Sequence, residues 1–190
     1  MSAVARAPNR VRIIGGSHRG RKLAFPDQPG LRPTPDRVRE TLFNWLQPVI
    51  IGARCLDLFA GSGALGLEAA SRGAARVLLL DSAAAVVRQL RENVRLLNLD
   101  HQVEVQQGQA LRWLAGAAEP FDIIFLDPPY ASRLQGPCAK RLEAGGWLAS
   151  GARVYLEADA RGGLPELPPD WELIREKRAG QVRYCLLRRV

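Results

Sequence analysis

Residues that build metal centres and disulfides are scarce in this chain. His18 and His101 are its only histidines, and Cys55, Cys138 and Cys185 its only cysteines. Two histidines leave a His-based metal site without ligands, and no metal is expected. The cysteines are odd in number and widely scattered, with no paired ligand spacing. That argues against a disulfide framework and for reduced, partly buried thiols in a cytoplasmic setting. Long apolar runs are missing too: none approaches the roughly 18 residues of a membrane span, and Met1–Arg6 lacks a signal peptide's apolar core. Internal repeats and low-complexity tracts are absent. Lysine is nearly so, with Lys22, Lys140 and Lys177 the only ones among 27 basic residues.

What is present is arginine. The net charge is +8 and the pI about 10.2. Such a balance favours a polyanionic partner, because each phosphate neutralised by the protein releases counterions. With 190 residues and 47% hydrophobic content, the chain suits one α/β domain with a sizeable core and a small appendage.

The most informative stretch runs from Arg54 to Glu68. Cys55–Phe59 is a short apolar run containing Asp57, stopped by Ala60-Gly61-Ser62-Gly63, and reads as a buried parallel strand. Leu65, Leu67 and Ala69 then begin a helix packed on that strand. Strand, glycine turn and helix N-terminus make a place where backbone N–H groups meet a ligand. Gly61, Gly63 and Gly66 also fit the dinucleotide fingerprint G-x-G-x-x-G, with Asp81 about 20 residues beyond. Asp57 discriminates, because a carboxylate there repels a pyrophosphate. It suits a ligand that brings an ammonium group and no phosphate, with Asp81 on the ribose hydroxyls. S-adenosylmethionine is such a ligand.

Residues 1–9 are expected to be disordered. Arg10–Gly16 and Ser17–Phe25 read as a β-hairpin or a pair of short strands. The hairpin carries Arg10, Arg12, Arg19, Arg21 and Lys22 with no acid until Asp27, the composition of a nucleic-acid arm. Thr34 is expected to cap a helix with Pro35 at its first position and Asp36 at its positive end. Val38, Leu42, Phe43, Trp45 and Leu46 form that helix's apolar face, and Pro48 ends it. Arg32, Arg37 and Arg39 continue the positive surface, and the segment is placed to cover a cofactor cleft.

Further strands are expected at Arg76–Asp81, Gln102–Gln106, Phe121–Asp127 and Ala152–Glu157. Between them lie a long helix capped by Ser82, a helix after Gly108-Gln109-Ala110 and another through Leu134–Leu142. Trp171–Lys177 and Gln181–Arg188 read as a closing antiparallel pair turning at Ala179-Gly180. The pattern describes an open, mainly parallel sheet with helices on both faces: a Rossmann-like architecture of seven strands. Residues 1–48 are expected to form the basic extension and 49–190 the domain that binds S-adenosylmethionine. Ligands in such sheets sit beyond the carboxyl ends of the strands, where Asp57, Asp81 and Asp127 would share one cleft.

Asp127-Pro128-Pro129-Tyr130 follows the fourth of these strands. Two prolines fix the backbone and remove two donors, leaving carbonyl oxygens and the Asp127 carboxylate as acceptors. That suits an exocyclic amine whose lone pair must be turned toward a sulfonium methyl. Tyr130 offers a flat face to a base taken out of its stack. The expected catalytic set is Asp127, Pro128, Pro129 and Tyr130. The expected cofactor set is Asp57, Phe59, Gly61, Ser62, Gly63, Asp81, Gln109 and Asp127.

Asp57-Leu-Phe-Ala-Gly-Ser-Gly63 and Asp127-Pro-Pro-Tyr130 resemble the motifs of amino methyltransferases acting on nucleic-acid bases. Further pieces are similar to one family, the RsmD family of 16S ribosomal RNA guanine-N2 methyltransferases. They are Arg12-Ile-Ile-Gly-Gly16, Arg19-Gly-Arg-Lys-Leu23, Arg32-Pro-Thr34, Asp36-Arg-Val-Arg-Glu40, Phe43-Asn44, Ser71-Arg-Gly-Ala74 and Gly180-Gln-Val182. The resemblance covers nearly the whole chain. It implies transfer of a methyl group from S-adenosylmethionine to N2 of guanine 966 (rRNA numbering), on the small ribosomal subunit, by a monomeric enzyme. One position departs from the wider pattern: many relatives in cofactor use carry an acid after the third strand, where this chain has Gln109. Three rival readings stay open on sequence: an adenine-N6 methyltransferase on DNA or RNA, an NAD-dependent oxidoreductase, and a non-catalytic RNA-binding subunit.

Overall fold

Residues 9–129 and 132–190 are described by the computed structural model. Tyr130 and the expected disorder of residues 1–8 lie outside the described residues. Asn9 does not belong with that disorder, because it begins the first strand.

The chain opens with a hairpin of β1 (Asn9–Arg12) and β2 (Lys22–Phe25), antiparallel, with Val11 opposite Leu23. Alternation gives it two unlike faces. Val11, Ile13, Leu23 and Phe25 are buried, while Arg10, Arg12 and Lys22 face solvent. The buried face joins the same apolar cluster as Val38, Leu42, Phe43 and Cys55, so the hairpin is packed on the body of the protein.

Helix α1 (Asp36–Leu46) follows. Its N-cap is Pro35, with extended φ −56° and ψ 146°, and no side chain caps it. The expected Thr34 cap is therefore displaced. The Pro35 carbonyl takes the N–H groups of Val38 and Arg39, while the Thr34 carbonyl accepts from Arg39 Nε at 3.1 Å.

The sheet is built from β3 (Arg54–Asp57), β4 (Arg76–Asp81), β5 (Val103–Gln107), β6 (Phe121–Leu126), β7 (Leu148–Asp159), β8 (Trp171–Ala179) and β9 (Val182–Arg189). Their order is β5-β4-β3-β6-β7-β9-β8. The first five are parallel, and β9 runs antiparallel between β7 and β8. From β3 the chain crosses to β4 on one side and later returns to β6 on the other, so the switch in strand order lies between β3 and β6. Helices α2 (Gly66–Ser71), α3 (Ala84–Leu96), α4 (Ala110–Trp113) and α5 (Gln135–Ala144) complete the crossovers.

Two layers of core flank the sheet. Cys55, Val77, Leu79, Ile123 and Phe125 point to the layer holding the hairpin and the apolar faces of α1, α2 and α3. Leu56, Leu78, Leu80, Ile124 and Leu126 point to the layer holding α4 and α5. Burial on both faces explains why these strands read as continuous apolar runs.

Two further expectations are adjusted. Ser82 does not cap α3: the N-cap is Ala83, whose N–H is taken by Asp81 Oδ1 at 2.9 Å. The strand expected from Ala152 begins at Leu148, because Leu148 pairs with Phe121 before the register slips at Phe121/Ile123. The three cysteines are free and buried. Among the described residues no helix is long and apolar enough to cross a membrane.

Candidate active site

At the end of β3, Asp57 is 2% exposed, and its Oδ2 accepts the Gly66 N–H at 3.1 Å. It also takes a backbone N–H from Phe59. The carboxylate thus binds both ends of the turn that its own strand enters. Within that turn Gly63 N–H reaches the Ala60 carbonyl at 2.7 Å, and Gly61 and Gly63 hold φ of 51° and 78°. Gly66 serves packing instead. A Cβ there would clash with Leu79 Cδ2 in the packed core, so glycine lets α2 approach β4 this closely. Ser62 is buried in the same turn, and Phe59 is half-buried against the second core layer.

Asp81 ends the next strand and joins two loops. Its Oδ2 accepts the Gly61 N–H at 3.0 Å, while Oδ1 holds Ala83. Gln109 is exposed at the N-cap of α4, and the preceding Gly108 N–H donates to the Asp81 carbonyl at 3.0 Å. Asp57, Asp81 and Gln109 therefore sit on three adjoining loops at one edge of the sheet.

Asp127 follows β6 on the other side of the switch and is half-buried. Pro128 is buried and Pro129 exposed. The Pro129 carbonyl is occupied, accepting Ser132 N–H at 2.8 Å and Ser132 Oγ–H at 2.6 Å. Among the described residues the Pro128 carbonyl accepts no hydrogen bond, which leaves it and the Asp127 carboxylate as the acceptors of this loop.

A fourth acid completes the edge, and the sequence pattern alone assigned it no role. Glu157 is 5% exposed on β7, and Tyr155 Oη–H donates to its Oε1 at 2.5 Å. The pairing of Leu126 with Leu156 puts Asp127 and Glu157 in successive positions on adjoining strands. An acid ending an apolar run was the available signal, the same one that marks Asp57, Asp81 and Asp127.

Burial, with a smaller contribution from neighbouring charges, sets the protonation of Asp57 and Asp127. Burial pushes the Asp57 carboxyl from 3.8 up to about 7, the Gly66 and Phe59 N–H groups opposing and the Asp81 charge adding. Burial raises Asp127 strongly as well, helped by the charges of Glu157 and Asp57. A cation relieves this repulsion, whereas a pyrophosphate adds to it. The donor set therefore fits the ammonium and sulfonium charges of S-adenosylmethionine and opposes NAD. Among the described residues no group of three His, Cys, Asp or Glu side chains is placed to hold a metal ion.

The N-terminal segment is pinned beside the glycine turn. Glu68 of α2 is 0% exposed and accepts the N–H groups of Ile14 and Gly15, each at 2.8 Å, and Arg72 Nε at 2.7 Å. Arg39 lies 3.5 Å from it and donates to the carbonyls of Thr34, Ala64 and Arg12. At 1% exposure Arg39 is a buried strut, not part of the positive surface. Its guanidinium donates inside the protein because three backbone carbonyls and two acids converge on it. Leu31 Cδ1 lies 2.7 Å from where a Gly61 Cβ would stand, so the connector after β2 does cover the turn.

The other arginines expected to meet RNA, and Lys22 with them, are exposed or half-buried at the surface: Arg10, Arg12, Arg19, Arg21, Arg32 and Arg37. Arg12 pairs with Asp36 at 3.0 Å, and Arg21 donates to the Leu96 carbonyl. Arg10, Arg19, Lys22, Arg32 and Arg37 have no ion pair among the described residues.

Comparison with known proteins shows the family of the chain. The chain is 52% identical over 180 residues to Ribosomal RNA small subunit methyltransferase D of Escherichia coli K12, covering 95% of this chain and 90% of that protein. The Haemophilus influenzae protein of the same name is 43% identical over 183 residues, covering 95% and 94%. The solved structure of yhhF from Escherichia coli superposes with a TM-score of 0.90 at 49% identity, covering 95% of this chain and 98% of that one. The profile of the family described as Conserved hypothetical protein 95 matches residues 11–188. With the fold, the acidic strand ends and the glycine turn all in place, the chain belongs to that family, the RsmD family.

Proposed function

We propose that this protein transfers a methyl group from S-adenosylmethionine to the N2 amine of guanine 966 in 16S rRNA, on the small ribosomal subunit in the cytoplasm. The observation that carries the reading is the convergence of the Asp127 carboxylate and Pro128 carbonyl with the Asp57 and Asp81 loops at one sheet edge. Relatives that carry the name of a small-subunit rRNA methyltransferase support methyl transfer to that RNA.

When bound, S-adenosylmethionine supplies an electrophilic methyl on a sulfonium. In this reading Asp57 faces its ammonium, Asp81 its ribose hydroxyls and Gln109 its adenine amine, with Phe59, Gly61, Ser62 and Gly63 shaping the turn beneath. Asp127 and the Pro128 carbonyl accept the two N2 protons of guanine, which holds the amine pyramidal with its lone pair free. Tyr130 stacks on the base. After transfer the amine is cationic and loses a proton, for which ionised Asp127 is the nearest acceptor. Catalysis is then mostly positioning, and no metal takes part. Residues 1–48 contact RNA through Arg10, Arg12, Arg19, Arg21, Lys22, Arg32 and Arg37, and residues 49–190 carry the chemistry, in a monomer.

The test is substrate competition. Unmodified small subunits, naked 16S rRNA and adenine-bearing DNA are offered together with labelled S-adenosylmethionine. Label on the particle is the expected result. Label confined to DNA moves the protein to the adenine-N6 reading.

A further inference from the structure

A cleft of about 720 Å³ opens on the face of the sheet opposite the hairpin, between α4, α5 and the loop from β7 to β8. Its walls include Leu111, Pro137 and Pro165, and its charged residues are Arg133, Lys140, Arg141 and one acid, Glu166. Lys140 is already paired, to Glu166 at 2.8 Å. Arg133 and Arg141 have no ion pair among the described residues.

The placement ties this cleft to the catalytic edge. Helix α4 follows β5 and α5 follows β6, so the first turns of both lie at the carboxyl end of the parallel sheet. Gln135, which opens α5, donates its side-chain amide to the Glu157 carbonyl at 3.4 Å. Arg133 stands only six positions beyond Asp127, with φ of 52°. A left-handed backbone at a long side chain is unfavourable, and Arg133 nonetheless lines the cleft.

We propose that this cleft binds one single-stranded nucleotide of the RNA flanking the target base, its base against Leu111, Pro137 and Pro165 and its phosphates on Arg133 and Arg141. The assignment rests on the proposed RNA reaction. The volume falls in the range of small-ligand pockets, and apolar walls with a cationic rim match the two halves of a nucleotide. The basic hairpin lies against one core layer and this cleft against the other. RNA crossing the catalytic edge is thereby held on both sides of the flipped base, and a base already held out of its stack on both sides needs less unstacking at the site.

The experiment uses the full chain with Arg133 and Arg141 both changed to Ala, and separately Arg141→Glu. Steady-state methylation of unmodified small subunits is measured beside fluorescence anisotropy of a labelled single-stranded RNA oligonucleotide. The expected result is a KM for particles raised about tenfold, with kcat within about twofold of wild type. For the double variant, the salt slope of oligonucleotide binding falls by about 1.4, at about 0.7 per single-strand phosphate released. Retained stabilisation by S-adenosylmethionine in thermal unfolding shows that the variants are folded. Unchanged KM and unchanged salt slope overturn the proposal. If wild type transfers no methyl to particles, the proposed reaction falls, and the oligonucleotide slope still decides whether the cleft binds RNA.

Discussion

Asp127, just past the end of β6, and Glu157 on the adjoining strand β7 each stand one position beyond the Leu126–Leu156 pair. Burial is the main cause that raises the Asp127 carboxyl, and the neighbouring Glu157 charge adds to it. In the proposed mechanism Asp127 accepts protons from the target amine in its ionised form, so kcat/KM should rise with pH along a limb set by its raised pKa. Glu157→Gln removes a neighbouring negative charge and should move that limb to lower pH. A pH–rate profile in which the limb stays fixed would mean that Glu157 does not act on Asp127.

Replacing Asp127 itself separates chemistry from cofactor binding. Asp127→Ala should lower turnover by at least about a hundredfold, the scale for losing a preorganised polar group. Affinity for S-adenosylmethionine, measured by calorimetry, should change little. Equal loss of both would make Asp127 a structural prop or a cofactor ligand.

With Asp57 facing the cofactor's ammonium as proposed, cofactor binding should carry its own pH dependence. Its carboxyl titrates near 7 in the folded protein against an ordinary 3.8. Between those values the unfolded chain has released a proton that the folded chain keeps. Its contribution to stability is therefore full below about 4, declines as pH rises to about 7, and is gone above. A cationic ligand favours the ionised form, so affinity should rise with pH up to about 7 and then level off. Calorimetry should show binding several-fold tighter at about pH 7.5 than at about pH 6, with Asp57→Asn flattening the difference.

The hold of α2 on the N-terminal segment is testable through Glu68. Glu68→Ala leaves Arg39 buried beside an empty site and frees two backbone N–H groups, a loss of about 3–5 kcal/mol in denaturant unfolding. Limited proteolysis should then cut near Ile14-Gly15 first. Gly16→Ala should be severely damaging as well, since its Cβ would run into the Ser71 carbonyl at φ of +77°. At Gly20, where φ is +84° and the space is open, Ala should carry only the backbone strain, about 1 kcal/mol.

These same residues show where the sequence could and could not be read. Parallel strands were legible because both faces are buried, so Val77–Leu80 and Ile123–Leu126 appear as unbroken apolar runs ending near an acid. The glycine turn was legible because strand, turn and helix are contiguous. Glu68 was not, since its backbone partners lie 54 and 53 positions away and a lone acid in a helix reads as solvated. Arg39 was misjudged for the same reason: only the fold brings the carbonyls of Arg12, Thr34 and Ala64 around it. Helix starts were misplaced at Thr34 and Ser82 because neighbouring groups, the Pro35 carbonyl and the Asp81 carboxylate, took the bonds instead.

Which amine receives the methyl group is decided directly by nucleoside analysis of the product. Unmodified small ribosomal subunits are methylated to completion, the 16S rRNA is digested, and the methylated nucleoside is identified by mass spectrometry against standards. The expected product is N2-methylguanosine, arising at position 966. N6-methyladenosine would leave the fold and the cofactor site standing and contradict the assignment of Asp127-Pro128-Pro129-Tyr130 to guanine.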